Sequence, residues 1–372
     1  MIDRQDILAA IARQMDAIRA TMQFVHEHPE LGHEEHECCR YLCDTLAAAG
    51  MEVEPGVGGM ETAFRASLHG ERPGATVGLV CLYDAVTAVR PDGRVEPVHS
   101  CGHGPISGAV VGAALALVEL RKGLAGSVVV MGCPSDEIHA PGSIARGGGK
   151  ALSAEAGLWD DVDAALYAHP EFIDTVSLES RWMQRATAIV SDSRSLATAD
   201  QPPLEAALAA LEFARAHVPD ELMLERLELD GDVEEGTGLV LRATFLVFAN
   251  AEDDIELRLA ALRAAVPQAR WELGRVVEAV RSDDRVTAAV AGAFDILDRN
   301  FVSDPPRLPF ATDFGNISRR CPAALIGVGR EGGWAFHTDE GAAQFASPDG
   351  EAAALTIAQV LALAAADLSE PR

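Results

Sequence analysis

Four apolar, strand-like runs in this chain each lead into residues of metal-binding type, and that arrangement narrows the fold more than any other feature. Ala75 to Leu82 runs into Tyr83-Asp84, and Ser127 to Met131 into Pro134-Ser135-Asp136-Glu137. Ala164 to Tyr167 leads to Ala168-His169, and Ala323 to Val328 is followed by His337. A further pair, Cys101 and His103, stands in the run His99-Ser100-Cys101-Gly102-His103-Gly104, just ahead of the helix-like stretch Ile106 to Arg121. Open α/β sheets bind ligands in the crevice beyond the carboxyl ends of their strands. Ligand-type residues at several such ends therefore predict one shared site.

The order of elements agrees. Residues 4 to 28 read as a helix broken by Pro29-Glu30-Leu31-Gly32, and Glu34 to Ala49 as a second helix capped at Gly50. Strand-like runs at Thr62 to Leu68 and Ala75 to Leu82 open an alternation of strand, loop, helix and strand, the pattern of an α/β sheet with crossover helices. The middle differs. Gln184 to Val190 reads as a strand, Pro203 to His217 as a helix, and Leu222 to Leu229 and Leu239 to Phe248 as strands. Glu252 to Ala265 reads as a helix and Arg270 to Val280 as a last strand, completing the βαββαβ order of a ferredoxin-like unit. The expected architecture is an α/β domain of residues 1–180 and 290–372, with a mixed sheet flanked by helices. An α+β ferredoxin-like domain at 181–289 is inserted into it.

With 372 residues the chain has room for two domains, and 48% apolar with 23% charged residues suits a globular protein. A net charge of −27 argues against nucleic acid as a partner, since phosphate contacts need clustered Lys and Arg. Lys122 and Lys150 are the only lysines. No uninterrupted apolar stretch reads as long enough to span a bilayer, and the acidic start Met1-Ile2-Asp3-Arg4-Gln5-Asp6 is unlike a secretory signal. Seven cysteines, an odd number that includes the adjacent Cys38-Cys39, make no disulfide framework and predict a reducing cytoplasm.

A thiolate and imidazoles bind borderline metals, and a carboxylate completes a mixed site. Taken alone, Cys-x-His is a weak signal, His169 beside Pro170 reads as a capped core histidine, and Glu137 as a solvated loop acid. Their common placement at strand ends favours a centre. His33-Glu34-Glu35-His36 is not a His-Glu-x-x-His motif, because its histidines are three apart rather than four. Gly147-Gly148-Gly149-Lys150 lacks the Gly and the Ser or Thr of a phosphate loop, with Ile144 and Ala151 in their places. It reads as a flexible loop.

These residues resemble the co-catalytic metallopeptidases that include aminoacylases, carboxypeptidase G and aminobenzoyl-glutamate hydrolase, and within them the amidohydrolase branch with a bridging Cys. The family's His-x-Cys-Gly-His is similar to His99–His103, its Asp-Ala turn to Asp84-Ala85, and its paired acids to Asp136-Glu137. Its strand-end His matches His169 and its late His matches His337, with the family-like stretch Thr312-Asp313-Phe314-Gly315-Asn316 between them. The resemblance runs from about residue 20 to 368, and the insertion corresponds to the family's lid and dimerisation domain. It implies that Cys101, His103, Glu137, His169 and His337 hold one or two divalent ions, Mn or Zn, with Cys101 bridging. Asp84 would orient a ligand imidazole. Asp136 would act as general base, taking a proton from the attacking water and passing it to the leaving nitrogen.

Three departures stand out. The family has Glu where this chain has Asp136, shortening the reach by about 1.5 Å. The segment His139 to Arg146 is an insertion after the paired acids, with His139 or Arg146 facing substrate or solvent. The lid's usual Ala-His segment is replaced by Ser191-Asp192-Ser193-Arg194-Ser195, where Arg194 would supply a cationic donor or remain a plain surface residue. The resemblance therefore implies a metal-dependent hydrolase of a small substrate's C–N bond, by default the amide of an N-acyl amino acid, an aroyl-glutamate or a dipeptide. Hydrolytic deamination of an activated aromatic or heterocyclic amine, and a metal-loaded protein that binds without hydrolysis, are the alternatives. A homodimer through the inserted domain is a further implication.

Overall fold

The computed structural model describes residues 2–192, 202–218, 221–231 and 239–371. In chain order its strands are β1 (Glu52–Pro55), β2 (Phe64–His69), β3 (Arg72–Cys81), β4 (Val86–Val89), β5 (Val95–Val98) and β6 (Ala125–Gly132). Then come β7 (Ala164–Glu171), β8 (Trp182–Asp192), β9 (Leu222–Asp230), β10 (Leu239–Ala249), β11 (Arg270–Val277) and β12 (Ala323–Gly329).

The apolar runs become a six-stranded sheet in the order β1-β2-β6-β3-β7-β12. β1, β2 and β6 pair antiparallel, while β6, β3, β7 and β12 run parallel, so the sheet is mixed. Parallel strands covered on both faces are apolar residue after residue rather than alternating. Val77–Cys81 of β3 and Val128–Gly132 of β6 are buried without interruption. The four parallel strands end along one edge of the sheet. Asp84 follows β3, Asp136 and Glu137 follow β6, His169 stands near the end of β7, and His337 follows β12.

The crossover helix His103–Glu119 is apolar all round, as a helix buried on every side must be. Its small residues let the helix Met15–Glu27 approach closely. A Cβ at Gly108 would stand 2.8 Å from the Ile18 carbonyl oxygen, and one at Gly112 2.5 Å from Ile18 Cγ1. The single N-terminal helix expected over residues 4–28 is two helices, Arg4–Arg13 and Met15–Glu27, meeting at Gln14, whose ψ of 4° lies outside the helical range. The helix Pro348–Leu368 corrects the expectation about bilayer-length segments. By length and composition it could cross a membrane, with a mean hydropathy of 1.5, but 67% of that stretch is buried inside the protein. Burial in a packed interior explains its composition.

Two compact units result. One comprises Met1–Glu179, Val280–Pro306 and Asp313–Arg372, and contains the six-stranded sheet. The other comprises Ser180–Ala279 and Arg307–Thr312, and contains an antiparallel sheet in the order β11-β8-β10-β9. Its core joins Ala186, Ala188, Phe245 and Val247 of the sheet to Ala206 and Ala210 of the helix Pro202–Arg215 and to Ile255 and Leu259 of the helix Glu252–Ala265. The first segment of the second unit ends at Ala279, where the sequence places the boundary at residue 289. The chain is already tied to the first unit at Asp283, whose N–H donates to the Ala323 carbonyl and whose side chain caps the helix Asp284–Ile296.

Candidate metal centre

Gly102 separates the two ligand-type residues of the Cys-Gly-His run, and only glycine fits there. Its φ is +97°, and a Cβ would stand 2.9 Å from Cγ of Pro170. The left-handed turn starts the crossover helix at His103, earlier than the sequence predicts. Cys101 is thereby brought to His169, with Sγ 3.7 Å from Nε2. Ligand atoms of Cys101, His103 and His169 all lie within 4.8 Å of one another, and so do those of Cys101, Glu137 and His337. Cys101 thus belongs to both triads. His337 reaches the group from a left-handed residue, φ 59°, whose main-chain N–H donates to the Ser100 carbonyl at 2.9 Å.

Two of the three imidazoles, those of His103 and His169, are held from their far sides. His103 Nδ1 lies 2.7 Å from the Asp84 carbonyl oxygen and 3.0 Å from Asp84 Oδ1. Both are acceptors, so Nδ1 carries a proton and Nε2 is the nitrogen that faces the cluster, 3.3 Å from Asp136 Oδ2 and 3.8 Å from Glu137 Oε1. His169 Nδ1 lies 2.7 Å from the Pro170 carbonyl oxygen, and Phe336 stacks on its ring with centroids 5.7 Å apart. Outer contacts of this kind set the tautomer and orientation of metal-binding imidazoles.

The electrostatics suit a cation. Burial pushes the Cys101 thiol up, but His103, His169 and His337 together outweigh it and hold the group well below its ordinary range. Burial opposes a proton on His103, yet Asp84 and Asp136 overcome it and draw positive charge onto the ring. Burial, then the neighbouring Cys101, raises Glu137 well above the usual carboxylate range. His103 Nε2 and Glu137 Oε1 are buried with no hydrogen-bond partner. Leaving such atoms unsatisfied costs about 1–3 kcal/mol each. A thiolate, three imidazoles and a carboxylate with inward-facing orphan atoms fit a divalent ion of borderline softness.

The paired acids sit on a reinforced loop. Ser135 is left-handed, φ 61°, and its N–H donates to Oε1 of Glu35 at 2.8 Å. Its hydroxyl meets that of Ser143 at 2.5 Å, and Ser143 donates to the Glu137 carbonyl at 2.6 Å. Asp84 Oδ2 accepts the Glu137 N–H at 2.8 Å. Glu35 is fully buried, and burial first, then Asp84, pushes its carboxyl up to about 8. The segment after the acids forms a short helix, Pro141–Arg146, whose Ser143 buttresses the loop. His139 lines a cavity of about 470 Å³ with Glu137, His337, Ser100, Thr87 and Arg90. Arg146 does not line it, and its Nη2 donates to the Gly59 carbonyl at 3.3 Å. Arg194 lies outside the described residues.

The Gly147–Lys150 run is not a flexible loop. Gly149 opens a helix to Glu155, its N–H donates to the Pro134 carbonyl at 3.0 Å, and a Cβ there would stand 2.0 Å from that oxygen. The backbone must come this close because Lys150, fully buried, pairs its Nζ with Oδ1 of Asp136 and, at 2.8 Å, with Oδ1 of Asp313. Sequence reasoning assigns Lys150 no role, and it finds Asp313 only as part of a family-like stretch. The signal available is that Lys150 is one of two lysines in the chain.

An α/β sheet with a thiolate–imidazole–carboxylate cluster at its strand ends defines the class. The chain belongs to peptidase family M20/M25/M40, which matches residues 76–365. It is 33% identical over 158 residues to one of the subunits of p-aminobenzoyl-glutamate hydrolase from Escherichia coli (strain K12), covering 40% of this chain and 31% of that protein. It is 32% identical over 151 residues to thermostable carboxypeptidase 1 of Saccharolobus solfataricus, covering 39% and 37%. The matched part thus spans about a third of the length of these curated relatives. Among solved structures, the fold is similar to the aminobenzoyl-glutamate utilization protein of Klebsiella pneumoniae, with TM-score 0.71, 13% identity and coverage of 98% of this chain and 100% of that one. It is also similar to the YXEP protein of Bacillus subtilis, a dinuclear metal binding peptidase, with TM-score 0.68, 18% identity and coverage of 97% and 99%.

Proposed function

We propose that this chain is a metal-dependent hydrolase that cleaves the amide of a small substrate such as an N-acyl amino acid, an aroyl-glutamate or a dipeptide-like compound. The observation that carries the reading is the sharing of Cys101 between two ligand triads beside an ionised Asp136. Cys101, His103 and His169 would hold one divalent ion, and Cys101, Glu137 and His337 a second. The sulfur and nitrogen donors favour zinc, while the single carboxylate, Glu137, is the donor that suits manganese. Such an ion, when bound, polarises a scissile carbonyl and acidifies water.

The chain's own residues supply the rest. Asp84 fixes the tautomer of His103. Burial alone would raise the Asp136 carboxyl, but Lys150 and His103 hold it far below the usual range, so it is an acceptor at neutral pH. Its Oδ2 faces the centre, placed to take a proton from the attacking water and return it to the leaving nitrogen. The adjoining cavity, about 470 Å³, is of the size that takes small molecules, and His139 there would contact substrate. Arg194, which the sequence names as a holder of an anionic substrate, lies outside the described residues, and Arg146 does not line this cavity. The exposed Leu204, Leu208 and Leu211, spaced along one face of the helix Pro202–Arg215, support pairing of two copies through the second unit. The seven free thiols suit a reducing cytoplasm.

The test is a panel of acyl-amino acids, aroyl-glutamates, dipeptides and aromatic amines, offered to metal-loaded protein and to Asp136→Ala. Release of an acid plus an amino acid, lost about 100-fold or more in the variant, is expected. Ammonia release instead would mean deamination, and binding without turnover would leave a carrier.

A further inference from the structure

We infer that Lys150, braced by Asp313, is a positioning residue for Asp136, and that the Gly147–Lys150 run is the cradle that brings it there. The inference rests on Asp136 being the proton-transfer acid of the proposed reaction.

A lysine ammonium withdrawn from water persists only where opposite charge surrounds it. Lys150 is 0% exposed, and the carboxylates of Asp136 and Asp313 both meet its Nζ. Asp313 is itself anchored, because its Oδ2 accepts the Ala151 N–H at 3.0 Å. The ammonium is therefore held between one fixed carboxylate and one that faces the centre. With Oδ1 of Asp136 engaged by Lys150, Oδ2 is the oxygen directed at the cluster, 3.3 Å from His103 Nε2. Anchoring one oxygen of a carboxylate sets the direction of the other.

The glycines make this possible. A Cβ at Gly148 would stand 2.2 Å from Oδ2 of Asp313, and one at Gly149 2.0 Å from the Pro134 carbonyl oxygen. Side chains at either position would push the Lys150 backbone away from the acid loop. A carboxylate one methylene shorter than glutamate has less reach, and here a fixed direction substitutes for it. Lys150 itself is absent from the lining of the cavity beside Glu137 and His337, so it acts through Asp136.

The chain's two lysines make a direct test available. Protein labelled with ¹⁵N at lysine carries two Nζ signals, one from exposed Lys122 and one from Lys150. The Lys150 signal is expected to move on Asp136→Asn and on Asp313→Asn while that of Lys122 stays put. A Lys150 signal indifferent to Asp136→Asn overturns the inference. With 4-aminobenzoyl-glutamate as probe, Lys150→Met is expected to lower kcat about 100-fold while KM changes less than about threefold and metal content is unchanged. In an Asp136→Asn background the same substitution should change kcat less than about twofold, because the group it positions is gone. Equal losses in both backgrounds overturn the inference, since a merely structural role multiplies through either. Should Lys150→Met fail to fold, the same cycle run with Asp313→Asn decides, with a loss of about tenfold expected only when Asp136 is present. A wild-type protein that hydrolyses no amide would sink the proposed function, and the lysine signals would still decide the positioning.

Discussion

Asp84 and His103 are joined twice: the carbonyl oxygen of Asp84 lies 2.7 Å from Nδ1 of the imidazole, and its carboxylate Oδ1 lies 3.0 Å from the same nitrogen. The other carboxylate oxygen accepts the Glu137 N–H at 2.8 Å. One acid therefore sets both a ring and a loop. In Asp84→Asn, a single oxygen cannot serve Glu137 and His103 together, so the amide nitrogen would turn a donor toward a donor. Metal affinity is expected to fall about 10–100-fold, measured by competition with a coloured chelator.

Cys101 is the residue common to both triads, so its loss should weaken both positions. Cobalt-loaded protein is expected to show thiolate-to-metal absorption in the near ultraviolet that Cys101→Ser abolishes, with metal content reduced on mass spectrometry. An unchanged spectrum would remove the sulfur from the centre.

Glu35 makes stability depend on pH. Its carboxyl titrates at about 8 in the folded chain, against 4.5 for the ordinary group, with burial as the main cause and Asp84 the second. Between those values the folded chain holds a proton that the unfolded chain has released. Stability is therefore greatest below the lower value and falls as pH rises through the window, at up to about 1.4 kcal/mol per pH unit. Urea denaturation at pH 5 and pH 8 should show this loss, and Glu35→Gln should reduce it.

Gly102→Ala places a Cβ against Pro170 at a φ that side chains rarely adopt. A cost of about 1–3 kcal/mol is expected for holding that conformation. Thermal unfolding should report it, and metal affinity should fall with it because Cys101 and His103 flank the turn.

Much of this architecture was legible in the chain. Buried parallel strands such as β3 and β6 announce themselves as apolar runs, and the residues after them are chemically distinctive. Cys101, His103, Glu137, His169 and His337, picked out by ligand type, lie together in the folded molecule. The supporting residues carried no such mark. Glu35 reads as one of several acids in His33-Glu34-Glu35-His36, and its contact with Ser135 spans a long stretch of chain. Lys150 ends a glycine run whose local sequence, lacking the Gly and the Ser or Thr of a phosphate loop, carries no sign of the carboxylates it meets. A buried ion pair between Lys150, Asp136 and Asp313 has no local periodicity, because its partners are chosen by tertiary packing alone. The break at Gln14 leaves no mark in the sequence because the apolar spacing, Ile7, Ile11 and Ile18, continues across it.

The strand ends that gather the ligand-type residues belong to β3, β6, β7 and β12, elements spread over most of the sequence. By the proposed assignment one ion would join Cys101 and His103 to the end of β7, and the other would join Cys101 to the residues after β6 and β12. The binding energy would become part of what holds the sheet together, about 4 kcal/mol when the free ion is a thousandfold above its dissociation constant. A copy of the chain made during metal scarcity lacks that fastening. Metal supply would then govern how long the molecule withstands proteases as well as how fast it works.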